Sequence, residues 1–179
     1  RGYYGERSIP RDTPASRPIQ PTKTEIFIDV REQPGEDWPE FSGKRRDSIC
    51  AEQGLLQTWP PDGPRRILTI QGIGQGYSSP VISNGRLLIT GENNERSTVY
   101  CFGVNGTPRW RQDNGPEFQC PIYPGTRSTV TVDANRVYAL SGIGLLSAFD
   151  LDSGDKRWSR NILKDFNGPL ITYGLAESP

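Results

Sequence analysis

The chain has 179 residues, enough for one domain, but only 33% of them are apolar, whereas glycine (20) and proline (16) are abundant. This composition is typical of a protein rich in turns and poor in helix. The 21 basic and 21 acidic residues balance, which disfavours nucleic acid and anionic membrane surfaces as partners. No run of about 18 apolar residues occurs, so we expect no transmembrane helix.

Residues 1–36 are interpreted as a Pro-rich arm or linker. Prolines recur there among Arg, Ser, Thr and Glu, and only Ile26–Val30 looks like a short strand. The chain contains no Met, not even at position 1. We therefore expect a processed product or a segment, with further residues upstream.

A turn-rich lead-in segment follows over residues 37–76, and Arg66–Ile70 within it has the alternation of a strand. Trp38 and Phe41 are expected to plug a ring or to fasten the arm rather than to bind a ligand. Gly72–Gly76 superficially resembles a phosphate-binding loop, but no helix start follows it. We interpret it as a turn into the next unit.

From Tyr77 onward the sequence repeats with a period close to 50 residues. Arg86 and Arg136 are 50 residues apart, and Trp110 and Trp158 are 48 apart. Each unit offers about four short alternating strands separated by Asn-Gly, Ala-Asn and Ser-Gly turns. This layout is typical of one β-propeller blade.

The repeat predicts an all-β fold of propeller blades, each with four antiparallel strands. We expect blade 1 at 77–126, blade 2 at 127–172 and the start of a third blade at 173–179. Because propellers close with about 4–8 blades, the ring is incomplete and its open faces need covering. The expected partners are the remaining blades, in the same chain or another, and other proteins.

The turn Ala148–Trp158 resembles the tryptophan-docking motif of quinoprotein-type propellers, A-x-D-x-x-T-G-x-x-x-W, with Ser153 in place of Thr. The first copy is more degenerate, because Cys101 and Gly103 replace the Ala and the Asp. Glycine permits the positive φ of a tight turn, and tryptophan buries a large area between blades. The resemblance thus implies structural docking roles for Gly106, Trp110, Gly154 and Trp158.

Residues 37–179 as a whole look like the beginning of secreted bacterial PQQ-like β-propeller repeat proteins. The segments that carry this likeness are Trp38–Gly43, Gly72–Pro80, Tyr123–Thr129 and Tyr173–Pro179. Relatives include alcohol dehydrogenases that use pyrroloquinoline quinone with calcium, and the lipoprotein scaffold of the outer-membrane β-barrel assembly machinery, which binds proteins and no cofactor. The resemblance implies a periplasmic or extracellular location but no particular activity.

Candidate site residues are few. The chain has no His, and so lacks the commonest general base and the usual zinc ligand. Arg127 and Glu177 stand at corresponding places before the innermost strands of successive blades, which makes them weak candidates for contact with a ligand or cofactor in the central channel. The alternative is that they form inter-blade salt bridges or line a solvated mouth.

No cofactor, metal ion or catalytic residue can be assigned from the sequence. Asp150–Asp155 carries alternate oxygen donors but lacks the downstream Glu of an EF-hand, and the docking turn accounts for it. Quinone dehydrogenases of the resembling family use a vicinal disulfide and calcium ligands that this chain does not match. Cys101 and Cys120 could form a disulfide if their Cα atoms approach within about 7 Å.

These observations favour a non-catalytic, exported propeller segment that serves protein–protein interaction or scaffolding in a larger assembly. The alternative is part of a dehydrogenase dependent on pyrroloquinoline quinone, with calcium, whose active site is completed by blades outside this chain. A third interpretation is a truncated piece held by its remaining partner.

Overall fold

The computed structural model describes residues 35–54, 56–64 and 66–179, together with the backbone of Glu25 and Ile26. The predicted arm and its strand Ile26–Val30 therefore lie almost entirely outside the described residues. Within the described ranges, no helix is both long and apolar enough to cross a membrane.

Two four-stranded antiparallel sheets make up most of the described structure. A small ribbon precedes them, formed by β1 (Glu25–Ile26) and β2 (Leu68–Thr69). The first sheet contains β3 (Val81–Ser83), β4 (Arg86–Asn93), β5 (Arg96–Gly103) and β6 (Pro108–Pro116). The second contains β7 (Thr131–Asp133), β8 (Arg136–Leu140), β9 (Leu145–Asp150) and β10 (Lys156–Asn161), followed by the short helix α1 (Ile162–Asp165).

In each sheet the strands pair in chain order, so each is a meander confined to one sequence repeat. Turn chemistry explains the first hairpin of each meander: Asn84 and Gly85 both have positive φ (49° and 69°), and Ala134 has φ 50° at the equivalent turn. The prediction of an all-β, incomplete propeller is confirmed. We call β3–β6 blade 1 and β7–β10 blade 2; the domain boundaries drawn from the sequence stay predictions.

The hydrophobic core lies between the two blades. Alternate residues of the strands point into it, and most are completely buried. Blade 1 contributes Val81, Leu88, Val99, Cys101 and Trp110, and blade 2 contributes Val130, Val132, Val137, Ala139, Phe149 and Leu151. Each blade thus buries one face against its neighbour, as a blade must to be stable.

The lead-in segment runs across the innermost strands of both blades. Trp38 and Ile82 exchange two backbone hydrogen bonds, of 2.8 and 3.0 Å. The carbonyl oxygen of Pro39 accepts a third, of 2.8 Å, from the amide of Val132. Ile82 and Val132 are 50 residues apart, so consecutive lead-in residues bond the same position in successive blades.

Gly74, before blade 1, and Gly91, in β4, allow close backbone packing of the glycine-rich segment against blade 1. A Cβ on Gly74 would stand 2.1 Å from the carbonyl oxygen of Glu92, and a Cβ on Gly91 would stand 1.7 Å from that of Ile73. Gln75 exchanges backbone hydrogen bonds with Glu92, of 3.0 and 2.7 Å. This segment therefore lies directly against β4.

Candidate functional site

The contact between the two blades centres on Trp110. Its indole N–H donates a 3.0 Å hydrogen bond to the carbonyl oxygen of Leu151 in the turn of blade 2. Its ring lies on Gly154, where a Cβ would stand 2.6 Å from the Trp110 ring. Gly154 has φ +76°, so it serves both the turn and the close approach. Trp110 and Gly154 are two of the four residues for which the sequence predicted a docking role, and that role stays a prediction.

The other pair of predicted docking residues is placed differently. Trp158 lies on β10 with 41% of its surface exposed, and its ring contacts that of Tyr138 at 6.1 Å. Gly106 has φ +81° in the turn between β5 and β6 and is buried. Blade 2 covers Trp110, whereas no blade among the described residues covers Trp158.

A repeated hydrogen bond also joins successive blades near the start of their innermost strands. The amide of Ser79 donates to Oγ1 of Thr129 (2.9 Å), and the amide of Thr129 donates to Oγ of Ser178 (3.1 Å). These three residues are spaced by 50 and 49 positions. We call this set the hydroxyl ladder; it aligns Ser178 and Pro179 with the first residues of a third innermost strand.

Arg127 and Glu177 line the same cavity, of about 420 Å³. The lead-in segment forms the other side of this cavity, where Arg46 pairs with the buried Glu40 at 2.8 Å. The complete lining is Glu40, Phe41, Ser42, Arg46, Arg127, Ala176, Glu177 and Ser178. The structure thus brings the two weak sequence candidates together, beside the lead-in segment.

The hydroxyl ladder corrects the equivalence assumed for these two residues. It places Arg127 two residues before Thr129 and Glu177 one residue before Ser178. Glu177 is therefore equivalent to Ser128, and Arg127 to Ala176. Their similar position before the innermost strands had suggested a match, but the hydrogen-bonding hydroxyls define a register that differs by one residue.

The side chain of Arg127 contacts mainly the segment that connects the two blades, in which Arg127 itself lies. Its guanidinium donates to the carbonyl oxygens of Gly125 (3.2 Å) and Tyr123 (2.5 Å) and lies 5.8 Å above the ring of Phe118. Oε2 of Glu177 accepts from the amide of Ala176 at 2.9 Å. These contacts hold the loops around the cavity, and a role of the two residues in contact with a ligand stays a prediction.

Glu117 is a buried acid that sequence reasoning missed. Its Oε1 accepts the amides of Phe118 (2.8 Å) and Gly142 (2.6 Å), so it ties the end of β6 to the loop after β8. Its Oε2 has no hydrogen-bond partner among the described residues. Burial raises the pKa of this carboxyl, against the opposing effect of the two amides. No motif surrounds Glu117, so only the three-dimensional contacts reveal it.

Cys101 and Cys120 are both buried, and both are free thiols in the structure. Cys101 lies in the core between the blades, and burial raises the pKa of its thiol to about 12. For Cys120, the backbone amides of Tyr123 and Ile122 and the guanidinium of Arg127 lower the thiol pKa. The predicted disulfide is not formed in the structure, and the pairing stays a prediction.

The chemistry available at the cavity is charge pairing and hydrogen bonding. Within the ranges that the structure describes, no three acidic, Cys or His side chains come together as a metal site would require. The cavity brings Arg46 and Arg127 together with Glu40 and Glu177, so it has no excess charge that would select an ionic ligand.

No family model matches the chain, and no curated protein matches it. Two solved structures are similar to part of it. A quinohemoprotein alcohol dehydrogenase, ADHIIG from Pseudomonas putida HK5, has 20% identity and a TM-score of 0.38 over 51% of this chain and 14% of its own. BamB from Moraxella catarrhalis has 21% identity and a TM-score of 0.40 over 51% of this chain and 30% of its own. The matched part spans less than a third of either protein, and the two sheets of this chain have the fold of an incomplete β-propeller.

Proposed function

We propose that this chain is a non-catalytic, exported propeller segment that acts in protein–protein interaction or scaffolding within a larger assembly. The observation that carries the proposal is the path of the lead-in segment. Trp38 and Pro39 bond the free edges of β3 and β7 through the amides of Ile82 and Val132. In a propeller these edges border the central channel. The chain's own backbone thus takes up space that a cofactor in the channel would need.

A surface patch supports a protein partner. Tyr77, Ile122 and Tyr123 are 61%, 70% and 52% exposed, and the two tyrosine rings meet edge to face with centroids 6.3 Å apart. We call these three residues the aromatic patch. Exposed apolar groups that cluster in this way are typical of interaction surfaces, and tyrosine is enriched in them.

Export is proposed from the resemblance to secreted bacterial propeller proteins. The residues that carry the resemblance include the docking turn Ala148–Trp158. Fractionation of the producing cells tests this part of the proposal: the protein is expected with the periplasmic or extracellular markers. Recovery with cytoplasmic markers would contradict it.

The function is tested on the natively purified protein in two assays. Equilibrium dialysis with pyrroloquinoline quinone and Ca²⁺, followed by dye reduction with a panel of alcohols, is expected to give neither binding nor turnover. Affinity purification under mild conditions is expected to recover a protein in fixed ratio to this chain. Quinone binding with alcohol-dependent dye reduction would overturn the proposal and establish the dehydrogenase alternative.

A pair of variants links the partner to the aromatic patch. Ile122→Asp introduces a charge into the patch at its most exposed residue and is expected to abolish recovery of the partner. Leu56→Asp is the matched control, because Leu56 is 58% exposed but lies in the lead-in segment. Equal recovery with both variants would assign the partner to another surface.

A further inference from the structure

Four buried oxygen atoms at one end of blade 1 have no hydrogen-bond partner among the described residues. They are Oε2 of Glu92, Oγ of Ser97, Oδ1 of Asn114 and Oε2 of Glu117. Ser97, Asn114 and Glu117 are only 1%, 0% and 4% exposed. Leaving a buried polar atom unpaired is costly. Four such atoms at one end of a blade therefore indicate that another group satisfies them.

The strand register brings three of these residues to the same face of blade 1. Glu92 and Ser97 stand directly opposite each other on β4 and β5, where facing Cβ atoms are about 4.5–5.5 Å apart. The pairing of β5 with β6 is irregular at Ser97, which places Asn114 across from it on the next strand. Nδ2 of Asn114 donates to the carbonyl oxygens of Ala139 (3.4 Å) and Leu145 (3.5 Å). This face is therefore turned towards blade 2.

Two hydrogen bonds hold Glu117 at the same end of the blade. The amide of Glu117 donates to the carbonyl oxygen of Glu95 (2.9 Å), and the amide of Glu95 donates to Oε1 of Glu92 (3.1 Å). Burial raises the pKa of the Glu117 carboxyl, and the hydroxyl of Ser97 is one of the groups that oppose this effect, so the two side chains are close. We call Glu92, Ser97, Asn114 and Glu117 the oxygen cluster.

The oxygen cluster is short of hydrogen-bond donors and of positive charge. When both glutamates are ionised, only the hydroxyl of Ser97 has a proton to donate, and Asn114 has its amide nitrogen turned to blade 2. No Lys or Arg of the described ranges forms an ion pair with Glu92 or Glu117. The guanidinium of Arg127 acts on Glu117 only through its charge, since it donates to backbone carbonyl oxygens. A cation satisfies such a set of acceptors.

The ligand types of the oxygen cluster favour calcium. Two carboxylates, an amide and a hydroxyl supply only oxygen, whereas zinc prefers sulfur and nitrogen ligands. Calcium accepts 6–8 oxygens in flexible geometry, and carboxylates that bind through both oxygens, or added waters, complete its shell. Magnesium demands octahedral geometry and keeps several waters, which suits a buried cluster less well. With two acidic side chains, the cluster also differs from a site built of three acidic, Cys or His side chains.

We propose that the oxygen cluster binds a calcium ion that fastens the end of blade 1 to the loop after β8 in blade 2. Glu117 connects the two, because its Oε1 accepts the amide of Gly142 (2.6 Å) while its Oε2 faces the ion. The cluster lies where β4, β5 and β6 meet, away from the edges of β3 and β7 that border the central channel. The inference goes beyond the proposed function and holds for a catalytic or a non-catalytic protein.

The ion and a proton compete for Glu117. Without the ion, burial raises the pKa of this carboxyl. A bound cation stabilises the carboxylate and lowers the pKa. Melting curves that follow the raised pKa of Glu117 are therefore measured with the chelator EGTA present.

The test uses the natively purified protein after removal of divalent cations with EGTA. Titration calorimetry with CaCl₂, in the absence of quinone, measures the stoichiometry and the Kd. We expect one Ca²⁺ per chain at this site, with a Kd of about 10⁻⁴ M. The melting temperature should rise by about 5–10 °C when calcium is in 100-fold excess over the Kd. MgCl₂ should bind at least about tenfold more weakly.

A matched pair of variants assigns the binding to the oxygen cluster. Glu92→Gln removes a charge but keeps an oxygen acceptor for the amide of Glu95. It should weaken calcium binding at least about tenfold and abolish the rise in melting temperature. Glu95→Gln makes the same change three residues away, on an exposed side chain, and should alter neither. A crystal grown with CaCl₂ should show anomalous density about 2.3–2.6 Å from the cluster oxygens.

Three results would overturn the proposal. The first is no calcium binding by the EGTA-treated protein. The second is an equal Kd for Glu92→Gln and Glu95→Gln, which would assign the binding to another site. The third is a crystal with CaCl₂ in which only water, at about 2.7–3.0 Å, contacts the cluster oxygens. Calcium uptake without quinone has no bearing on quinone binding or dye reduction, so the proposed function is tested independently.

Discussion

The indole N–H of Trp110 and the carbonyl oxygen of Leu151 are 3.0 Å apart, and this bond joins the last strand of one blade to the turn of the next. The same ring covers Gly154, so one side chain supplies both a directional bond and a large buried area. Two blades of an open ring are thereby held in a defined order and orientation.

Gly154→Ala is expected to lower the free energy of unfolding by about 2–4 kcal/mol, from left-handed strain and overpacking against Trp110. Gly85→Ala is the matched control: Gly85 has φ +69°, but nothing lies within 4 Å of a Cβ there. Gly85→Ala should lower the free energy of unfolding only through the left-handed strain, by about 1 kcal/mol. Urea unfolding measures both variants, and equal losses would show that Trp110 does not pack on this glycine.

Thr129→Val removes the hydroxyl that accepts the amide of Ser79 while preserving the shape of the side chain. The loss of this hydrogen bond is expected to cost about 1 kcal/mol of stability. Thr107→Val, on an exposed turn residue, should change stability little. Thermal unfolding of the two variants distinguishes them, and an unaffected Thr129→Val would remove the hydroxyl ladder as a stabilising feature.

Glu117 should make stability depend on pH in a direction opposite to that of most carboxylates. Burial raises its pKa in the folded protein above the ordinary value of 4.5. The contribution of Glu117 to stability is therefore fully present below that ordinary value and is lost as the pH rises through the folded pKa. Glu117→Gln keeps an oxygen acceptor for Phe118 and Gly142, but cannot titrate.

Melting temperatures of the parent protein and of Glu117→Gln across this pH range provide the test. The difference between the two proteins isolates Glu117, because every other acid titrates in both. We expect the melting temperature of Glu117→Gln to rise relative to that of the parent protein as the pH rises. A constant difference would show that Glu117 has the same pKa in the folded and unfolded chains.

The three thiols should react at very different rates with iodoacetamide at neutral pH. Cys50 is exposed and should be alkylated first. Cys101 is completely buried, with a pKa of about 12, and should react only after unfolding. In denaturant without reductant, mass spectrometry should count three alkylated thiols. A count of one, with Cys101 and Cys120 protected, would instead show the disulfide considered from the sequence.

The blade architecture could be predicted because local patterns in the sequence specify its strands and turns. Alternating apolar residues give the strands, and Asn84 with Gly85 gives a hairpin turn that needs positive φ at both positions. The recurrence of tryptophan and glycine at near-constant spacing gives the contact between blades. The strand predicted at Arg66–Ile70 is present only as Leu68–Thr69, since it has a single short partner.

Other features depend on contacts between segments distant in sequence. The pairing of Trp38 with Ile82 joins residues 44 positions apart, and no local pattern encodes it. Arg127 and Glu177 were matched by their place before the innermost strands, although Thr129 and Ser178 define the register through hydrogen bonds to their hydroxyls. Glu117 was missed because an acid at the end of a strand normally faces solvent. Its burial follows from the neighbouring loop around Gly142.

The hydroxyl ladder makes the two sides of a repeat different in their hydrogen bonding. Thr129 presents an acceptor to the blade before it and a donor to the blade after it. A gene duplication that copies one complete period, such as residues 129–177, would insert a unit compatible with both neighbours. A duplication that does not copy whole periods would leave one junction mismatched. Propellers of different size can thus evolve from this chain in whole-blade steps without any change to an existing interface.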